Sequence, residues 1–308
     1  MNEMSKAPSP TGLALRFIAL SLIWGSSFLF MKIGLEGLSP GQVALGRMML
    51  GALALITMMA VTRRRWPRDP KLWLHMVFGA AVLCAIPYSL FAWAELTVPS
   101  AVASIINATT PIMTLLLVPI IMPSERLSRP QIVGLAIGIA GVVMLVGPWR
   151  IIGSDGTVSL PGILACLGAT FCYGVGSLYM RRFVVKPGSS VDSLTIAAMQ
   201  ITLATALLLV FSPFTAMSPI HLSTPVVLAM LGLGVLGTGI AYIWNTTILS
   251  AWGAARTSTV TYLTPVVGVT LGVAFLGETL HWNEPLGGLV VILGILASQG
   301  RLRIGTRA

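Results

Sequence analysis

Long runs of apolar residues, separated by short polar turns, occupy almost the whole chain after residue 13. A helix rises about 1.5 Å per residue, so about 20 apolar residues cross the roughly 30 Å hydrocarbon core of a bilayer. Proline, glycine and charged residues mark the turns between the runs. The pattern predicts ten membrane-spanning helices, near residues 14–34, 41–61, 72–94, 99–122, 131–148, 161–181, 192–212, 225–248, 255–276 and 284–300.

The same order of features occurs twice, in residues 94–146 and 248–299. Each copy has a Thr-Pro pair inside an apolar helix (Pro111 and Pro265), a glutamate at the end of that helix, and a second apolar run spaced by glycines. Because five spans is an odd number, the second copy crosses the membrane in the opposite sense. The predicted fold is an all-α integral membrane protein of ten transmembrane helices, arranged as two inverted five-helix repeats. Its predicted parts are a cytoplasmic tail (1–13), a first repeat (14–150), and a second repeat with a short basic C-terminus (151–308).

Composition and charge support this interpretation. Hydrophobic residues make up 56% of the chain and charged residues 9%, with a mean hydropathy of +0.90, which excludes a water-soluble surface. With the N-terminus inside, all basic residues except Lys32, Arg47 and Arg150 fall on the cytoplasmic side. Both termini are therefore predicted to be cytoplasmic, and the basic runs are topology determinants rather than nucleic-acid contacts. The three cysteines lie in apolar stretches and are interpreted as packing residues, not as disulfides.

The run WGSSFLFMKIGLEGLSPGQVALGRMML (24–50) and the helices with TP…SE and TP…GE resemble the drug/metabolite transporter superfamily. Within it, they are similar to the EamA-type exporters, which include the bacterial aromatic amino-acid exporter. The resemblance implies a ten-helix exporter of small metabolites in the bacterial inner membrane. It also implies that helices one to four and six to nine surround a central cavity, while helices five and ten brace the halves against each other.

Hydroxyl, amide and aromatic side chains recur at helical spacing on the spans that would surround such a cavity. Serine and threonine in membrane helices can instead bond their own backbone or join helices, and Trp and Tyr can anchor at the interface. Both interpretations stay open for each side chain. The predicted substrate-binding residues are Trp24, Arg47, Tyr88, Asn107, Thr110, Pro111, Tyr173, Tyr242, Asn245, Thr264 and Pro265.

Arg47 lies about two turns inside the second span, where an unpaired charge is costly. It could capture a substrate carboxylate, or it could form a structural salt bridge with Glu36 or Glu95. Pro111 and Pro265 each remove a backbone donor, so both are expected to break their helices next to the cavity.

No Asp, Glu or His lies in the middle of a span, so we expect export down a substrate gradient rather than tight proton coupling. No metal-ligand cluster, phosphate-binding glycine motif or Ser-His-acid set predicts an enzyme, a metal or a cofactor. The predicted function is inner-membrane export of amino acids and related small amphipathic metabolites by a monomer, with the lipid bilayer and the solute as its partners. The alternatives are a sugar-phosphate or nucleotide-sugar exchanger of the same fold and, from a different class, an intramembrane enzyme.

Overall fold

The structure is a computed structural model that describes residues 10–147, 149, 159–184, 191–252 and 260–300. Helices account for nearly all of these residues, and no strand occurs among them. Numbered in chain order, spans 1 to 10 are Pro10–Gly34, Pro40–Val61, Pro70–Ala94, Ser100–Ile121, Arg129–Val146, Leu160–Phe183, Ser193–Thr215, 224–252, Val260–Leu276 and Asn283–Ser298.

The predicted all-α fold with two repeats of five helices is confirmed. Eight of the described helices are long and apolar enough to cross a membrane, and the two shorter apolar ones are Val260–Leu276 and Asn283–Ser298. The start predicted for span 9, at residue 255, lies outside the described residues. Elsewhere the helix ends fall within a few residues of the predicted ones, because apolar length sets them.

Local sequence fixes the helix ends. Span 2 begins with a capping box in which the Ser39 side chain accepts from the Gln42 backbone and the Gln42 side chain accepts from the Ser39 backbone. Pro40 occupies the first turn, where its missing N–H costs nothing. Asp192 caps span 7 in the same way through the backbone N–H groups of Leu194 and Thr195. These caps satisfy backbone donors that would otherwise be left open at the membrane surface.

Spans 3 and 8 each contain a π-helical segment, Ala81–Ala85 and Gly232–Ile240. The two segments end just before Tyr88 and Tyr242, which the repeat pairs with each other. A π-helical turn widens the helix and shifts the direction of the side chains that follow it, and such turns are frequent at functional sites. The two repeats therefore share a local distortion at matched positions.

The two Thr-Pro pairs behave differently. Span 4 is interrupted after Asn107 and begins again at Thr110. Pro111 therefore lies in the first turn of the second segment, where a backbone N–H has no partner within the helix and its absence costs little. The expected break at Pro265 does not occur, because Val260–Leu276 continues as one helix through the proline. Span 1 packs closely against that helix at Gly25, where a side chain would collide with Val267.

Spans 5 and 10 pack against each other along most of their length. Glycines allow the two backbones to approach: a side chain at Gly134 would collide with the backbone of Gly294 and Ser298. At one end, the buried Asn283 side chain donates to the Leu145 carbonyl oxygen at 3.0 Å. This pair of helices joins the two repeats on the side away from the cavity.

Candidate functional site

A cavity of about 340 Å³ lies between the two repeats, within the usual size range of small-molecule sites. Its walls come from spans 1 to 4 and 6 to 9, while spans 5 and 10 contribute no described side chain. The lining residues are Trp24, Ser27, Phe28, Met31, Arg47, Leu83, Tyr88, Phe91, Asn107, Thr110, Tyr173, Gln200, Tyr242, Thr261 and Thr264.

Most of the predicted site residues meet at this cavity. Those that line it are Trp24, Arg47, Tyr88, Asn107, Thr110, Tyr173, Tyr242 and Thr264. Pro111, Asn245 and Pro265 do not line it. Pro265 instead borders a separate apolar depression with residues of span 10 such as Gly288.

Arg47 is the one cationic side chain among the described residues of the lining. It is 5% exposed, its Nε donates to the Thr238 hydroxyl at 3.2 Å, and its guanidinium lies 4.1 Å from the centre of the Tyr88 ring. Thr238 in turn donates to the Leu233 carbonyl oxygen, a bond that the π-helical segment makes possible. The segment thus orients the threonine that holds the arginine.

The guanidinium forms no ion pair with a carboxylate among the described residues, and its two terminal nitrogens donate no hydrogen bond to them. The salt bridges to Glu36 or Glu95 that the sequence left open are therefore not part of this arrangement. The cation–π contact with Tyr88 offsets part of the cost of burying the charge. The planar fork remains available to an anion inside the cavity.

Aromatic rings form one wall of the cavity. Tyr173 lies 6.3 Å from both Tyr88 and Phe91, centre to centre, and Phe91 meets Phe28 edge-on at 5.5 Å. Opposite them, the Trp24 indole N–H donates to the Gly237 carbonyl oxygen at 3.2 Å, within the π-helical segment of span 8. The cavity therefore combines a flat apolar surface with a few polar groups.

The hydroxyl groups of Thr110 and Thr264 donate to carbonyl oxygens of their own helices, those of Asn107 and Val260. These bonds correspond to the structural role that the sequence left open for such side chains. The Asn107 side-chain amide has no hydrogen-bond partner among the described residues and lines the cavity. It is therefore the polar group best placed to contact water or a solute.

Several lining residues were not among the predicted substrate-binding residues, although the repeat pairs two of them with residues that were. Gln200 is the counterpart of Arg47, and Thr261 is the counterpart of Asn107, at the same offset that pairs Pro111 with Pro265. Asn245 follows Tyr242 by about one turn in the same α-helix, but it does not line the cavity. No group of three or more His, Cys, Asp or Glu side chains is placed to hold a metal in the part of the chain that is described.

Buried side chains separate the cavity from one end of the bundle. At this end spans 1 and 3 finish and spans 2 and 4 begin, and we call it the Glu278 end after the residue that follows span 9 there. Phe91, which lines the cavity, belongs to one buried cluster with Val98 and Val102, and each of the three is at most 3% exposed. The Glu278 carboxylate accepts three bonds from span 4: two from Ser100 (N–H 2.6 Å, Oγ 3.1 Å) and one from the Ala101 N–H (2.9 Å). The Glu278 end is closed in this structure.

Comparisons with known proteins agree with this architecture. Residues 12–147 and 160–298 match the EamA-like transporter family. A protein of Bacillus subtilis named uncharacterized transporter YdfC is 28% identical over 89% of this chain and 86% of its own length. A probable amino-acid metabolite efflux pump of Salmonella typhimurium is 27% identical over 94% and 95%. The inner membrane transporter YedA of Escherichia coli K12, named as uncharacterized, is 27% identical over 92% and 89%.

A solved crystal structure shares the fold, with a TM-score of 0.65 and 20% identity over 96% of this chain and 99% of that one. The matched family, the transporter names and the apolar helices together identify a multi-pass membrane transporter. They point to a transporter rather than an enzyme.

Proposed function

Because the chain belongs to the EamA-like transporter family, we propose that it exports amino acids and related small amphipathic metabolites through the central cavity. The observation that carries the proposal is Arg47, a buried guanidinium at the cavity wall whose terminal nitrogens bond no described residue. A buried cation of this kind needs an anion or water, and its fork matches the two oxygens of a carboxylate.

The rest of the lining suits the other parts of an amino acid. Tyr88, Tyr173 and Phe91 offer rings against which an apolar side chain can pack. The side-chain oxygens of Asn107 and Gln200 can accept from a substrate ammonium group. A zwitterion with a hydrophobic side chain would thus satisfy both the polar and the apolar parts of the cavity.

The similar proteins support this substrate class. The Salmonella relative is named as a probable amino-acid metabolite efflux pump, which describes both the cargo and the direction proposed here. YedA is named as an inner membrane transporter, in line with the proposed inner-membrane location. The distribution of basic residues favours cytoplasmic termini and hence a Glu278 end that faces the outside. We propose that the chain works as a monomer, since one chain builds the whole cavity.

Export through such a cavity requires that its two ends open in turn. The closed Glu278 end, held by the contacts of Glu278 with span 4, represents one of the two states in this scheme. The interruption of span 4 beside Asn107 gives that helix two segments that can tilt separately. During transport one end of the cavity would close as the other opens, while the solute stays bound at Arg47.

A sugar-phosphate or nucleotide-sugar exchanger is the second candidate from the same fold. Such substrates carry phosphate groups, which are usually held by several cations. The described lining provides Arg47 and no second basic side chain. The cavity therefore favours a substrate with a single carboxylate.

Counterflow into proteoliposomes tests the proposal. Vesicles loaded with an unlabelled amino acid should accumulate the same labelled amino acid, and the recovered label should be chemically unchanged. The panel should include aromatic and aliphatic amino acids beside sugar phosphates and nucleotide sugars. Counterflow of phosphorylated solutes alone would support the exchanger, and product formation without flux would support an enzyme.

A further inference from the structure

Glu95 is a buried carboxyl group that the cavity does not use. It lies one residue beyond the end of span 3, at the Glu278 end, and it is 0% exposed. Neither of its carboxylate oxygens has a hydrogen-bond partner, and it forms no ion pair with any described residue. A carboxyl group in such surroundings is strongly destabilised when it is ionised.

Charged and titratable groups face Glu95 from four spans or their ends: Lys32 of span 1, Arg47 of span 2, Cys166 of span 6 and Glu278 after span 9. The Lys32 ammonium donates to the backbone carbonyl oxygens of Glu95 and Val98, not to the carboxylate. Arg47 bonds the Thr238 hydroxyl in the cavity. Neither cation therefore neutralises Glu95 directly.

Glu278 makes an ionised Glu95 less favourable still. Its own carboxylate is held in place by three hydrogen bonds from the start of span 4. Burial raises the pKa of Glu95 well above its ordinary value. Glu278 adds to this effect, while Lys32 and Arg47 oppose it. The protonated form of Glu95 is therefore favoured while this end is closed.

The same residues hold this end together. Lys32 ties span 1 to the turn at 95–98, and Glu278 ties the end of span 9 to the start of span 4. Opening of this end would bring water to Glu95, and water stabilises its ionised form. We propose that Glu95 is a proton-binding site whose occupancy keeps the Glu278 end closed.

The sign of the effect follows from linkage. The closed state binds a proton that the open state releases, so acid on this side favours closure and alkaline pH favours opening. A single proton changes the ratio of open to closed molecules by up to about tenfold per pH unit. The device needs access to one side only, so it gates the transporter and does not require a proton path across the membrane.

Thiol labelling of a buried reporter measures the opening. The starting protein has Cys84, Cys166 and Cys172 replaced by alanine and is held in nanodiscs, which leave both membrane faces accessible. Val98→Cys, at a position 3% exposed, reacts with a water-soluble maleimide only when the end opens. Leu96→Cys, two residues away at a position 52% exposed, reports the intrinsic pH dependence of the reaction.

The quantity measured is the rate at the Val98 position divided by the rate at the Leu96 position. With Glu95 present we expect this ratio to rise at least about threefold from about pH 5.5 to about pH 8.5. In Glu95→Gln, a neutral isostere of the protonated acid, the ratio should stay low and independent of pH. Glu95→Asp keeps a titratable group and should keep the pH dependence.

A flat ratio in the protein with Glu95 would overturn the proposal, and this result does not depend on whether Glu95→Gln folds. An unchanged pH dependence in Glu95→Gln would also overturn it, because another group would then be responsible. The inference rests on the proposed opening and closing of the cavity but not on its solute. Absence of amino-acid counterflow would contradict the proposed substrate and leave the labelling result to decide the proton site.

Discussion

Replacement of Arg47 by glutamine should selectively weaken binding of solutes that carry a carboxylate. The change removes the guanidinium that lines the cavity but keeps a polar side chain of moderate size. Glutamine offers one neutral amide nitrogen in place of the two charged terminal nitrogens of the guanidinium. The aromatic wall around Tyr88 and Tyr173 is left in place.

The expected magnitude follows from the lost interaction. A hydrogen bond to a charged group contributes about 1.5–3 kcal/mol, and about 1.4 kcal/mol corresponds to a tenfold change in affinity. We therefore expect affinity for an amino acid to fall by about 10- to 100-fold. Arg47→Lys keeps the charge but loses the planar fork, so its affinity should lie between that of the protein with Arg47 and that of Arg47→Gln.

The assay is competition with counterflow of a labelled amino acid in proteoliposomes. The competitors are an aromatic amino acid and the amine that corresponds to it without the carboxylate. The protein with Arg47 should prefer the amino acid, and Arg47→Gln should lose most of that preference. Arg65→Gln, which removes an exposed cation outside the cavity, serves as the matched control and should change nothing.

Two results would refute the reasoning. An equal loss of affinity for the amino acid and the amine would mean that Arg47 supports the cavity without contacting the carboxylate. Unchanged affinity for both would mean that the solute binds elsewhere. Either result would remove the main support for the proposed substrate class.

Three further substitutions test other parts of the site and the fold. Asn107→Leu should slow counterflow without lowering the yield of membrane-inserted protein. Asn245→Leu changes a residue outside the cavity lining and should transport normally. Full activity of both variants would mean that Asn107 has only a structural role. Pro111→Ala should allow span 4 to continue as one helix and slow exchange between the two states, which an unchanged counterflow rate would contradict. Gly134→Ala should lower the melting temperature by several degrees, because the added methyl group meets the facing backbone of span 10 at a cost of about 1–3 kcal/mol. Gly168→Ala serves as the control: its methyl group makes only an ordinary van der Waals contact, so the melting temperature should stay unchanged.

The fold could be predicted from the sequence because membrane crossing imposes a minimum apolar length. Ten such runs, with caps such as Ser39 and Asp192 at their ends, leave little freedom in the helix boundaries. The internal repeat then determines the inverted arrangement, since each copy has five spans. The closed state of the Glu278 end could not be predicted, because alternative states of a transporter share one sequence.

The site could be predicted in part. Polar and aromatic side chains in the middle of spans are costly unless they face a cavity. Arg47, Tyr88 and Asn107, which were predicted as substrate-binding residues, line the cavity, and their contact with a substrate stays a prediction. Asn245, also predicted as a substrate-binding residue, does not line the cavity, although it follows Tyr242 by about one helical turn. The break expected at Pro265 was wrong, because the helix continues through the proline from Val260 to Leu276.

The burial of Glu95 without a hydrogen-bond partner could not be predicted from the sequence. From the sequence it was considered as a salt-bridge partner for Arg47, and its position just after a span resembles that of an ordinary surface acid. The burial results from tertiary packing by spans 1, 4 and 6 around the end of span 3. Single-span patterns contain no information about such neighbours.

An experimental structure with a bound aromatic amino acid would test the central claim most directly. The account predicts that the solute lies in the cavity between the two repeats, with its carboxylate within hydrogen-bond distance of the terminal nitrogens of Arg47 and its ring against Tyr88 or Tyr173. A solute bound outside this cavity, or bound inside it with the carboxylate turned away from Arg47, would contradict the account.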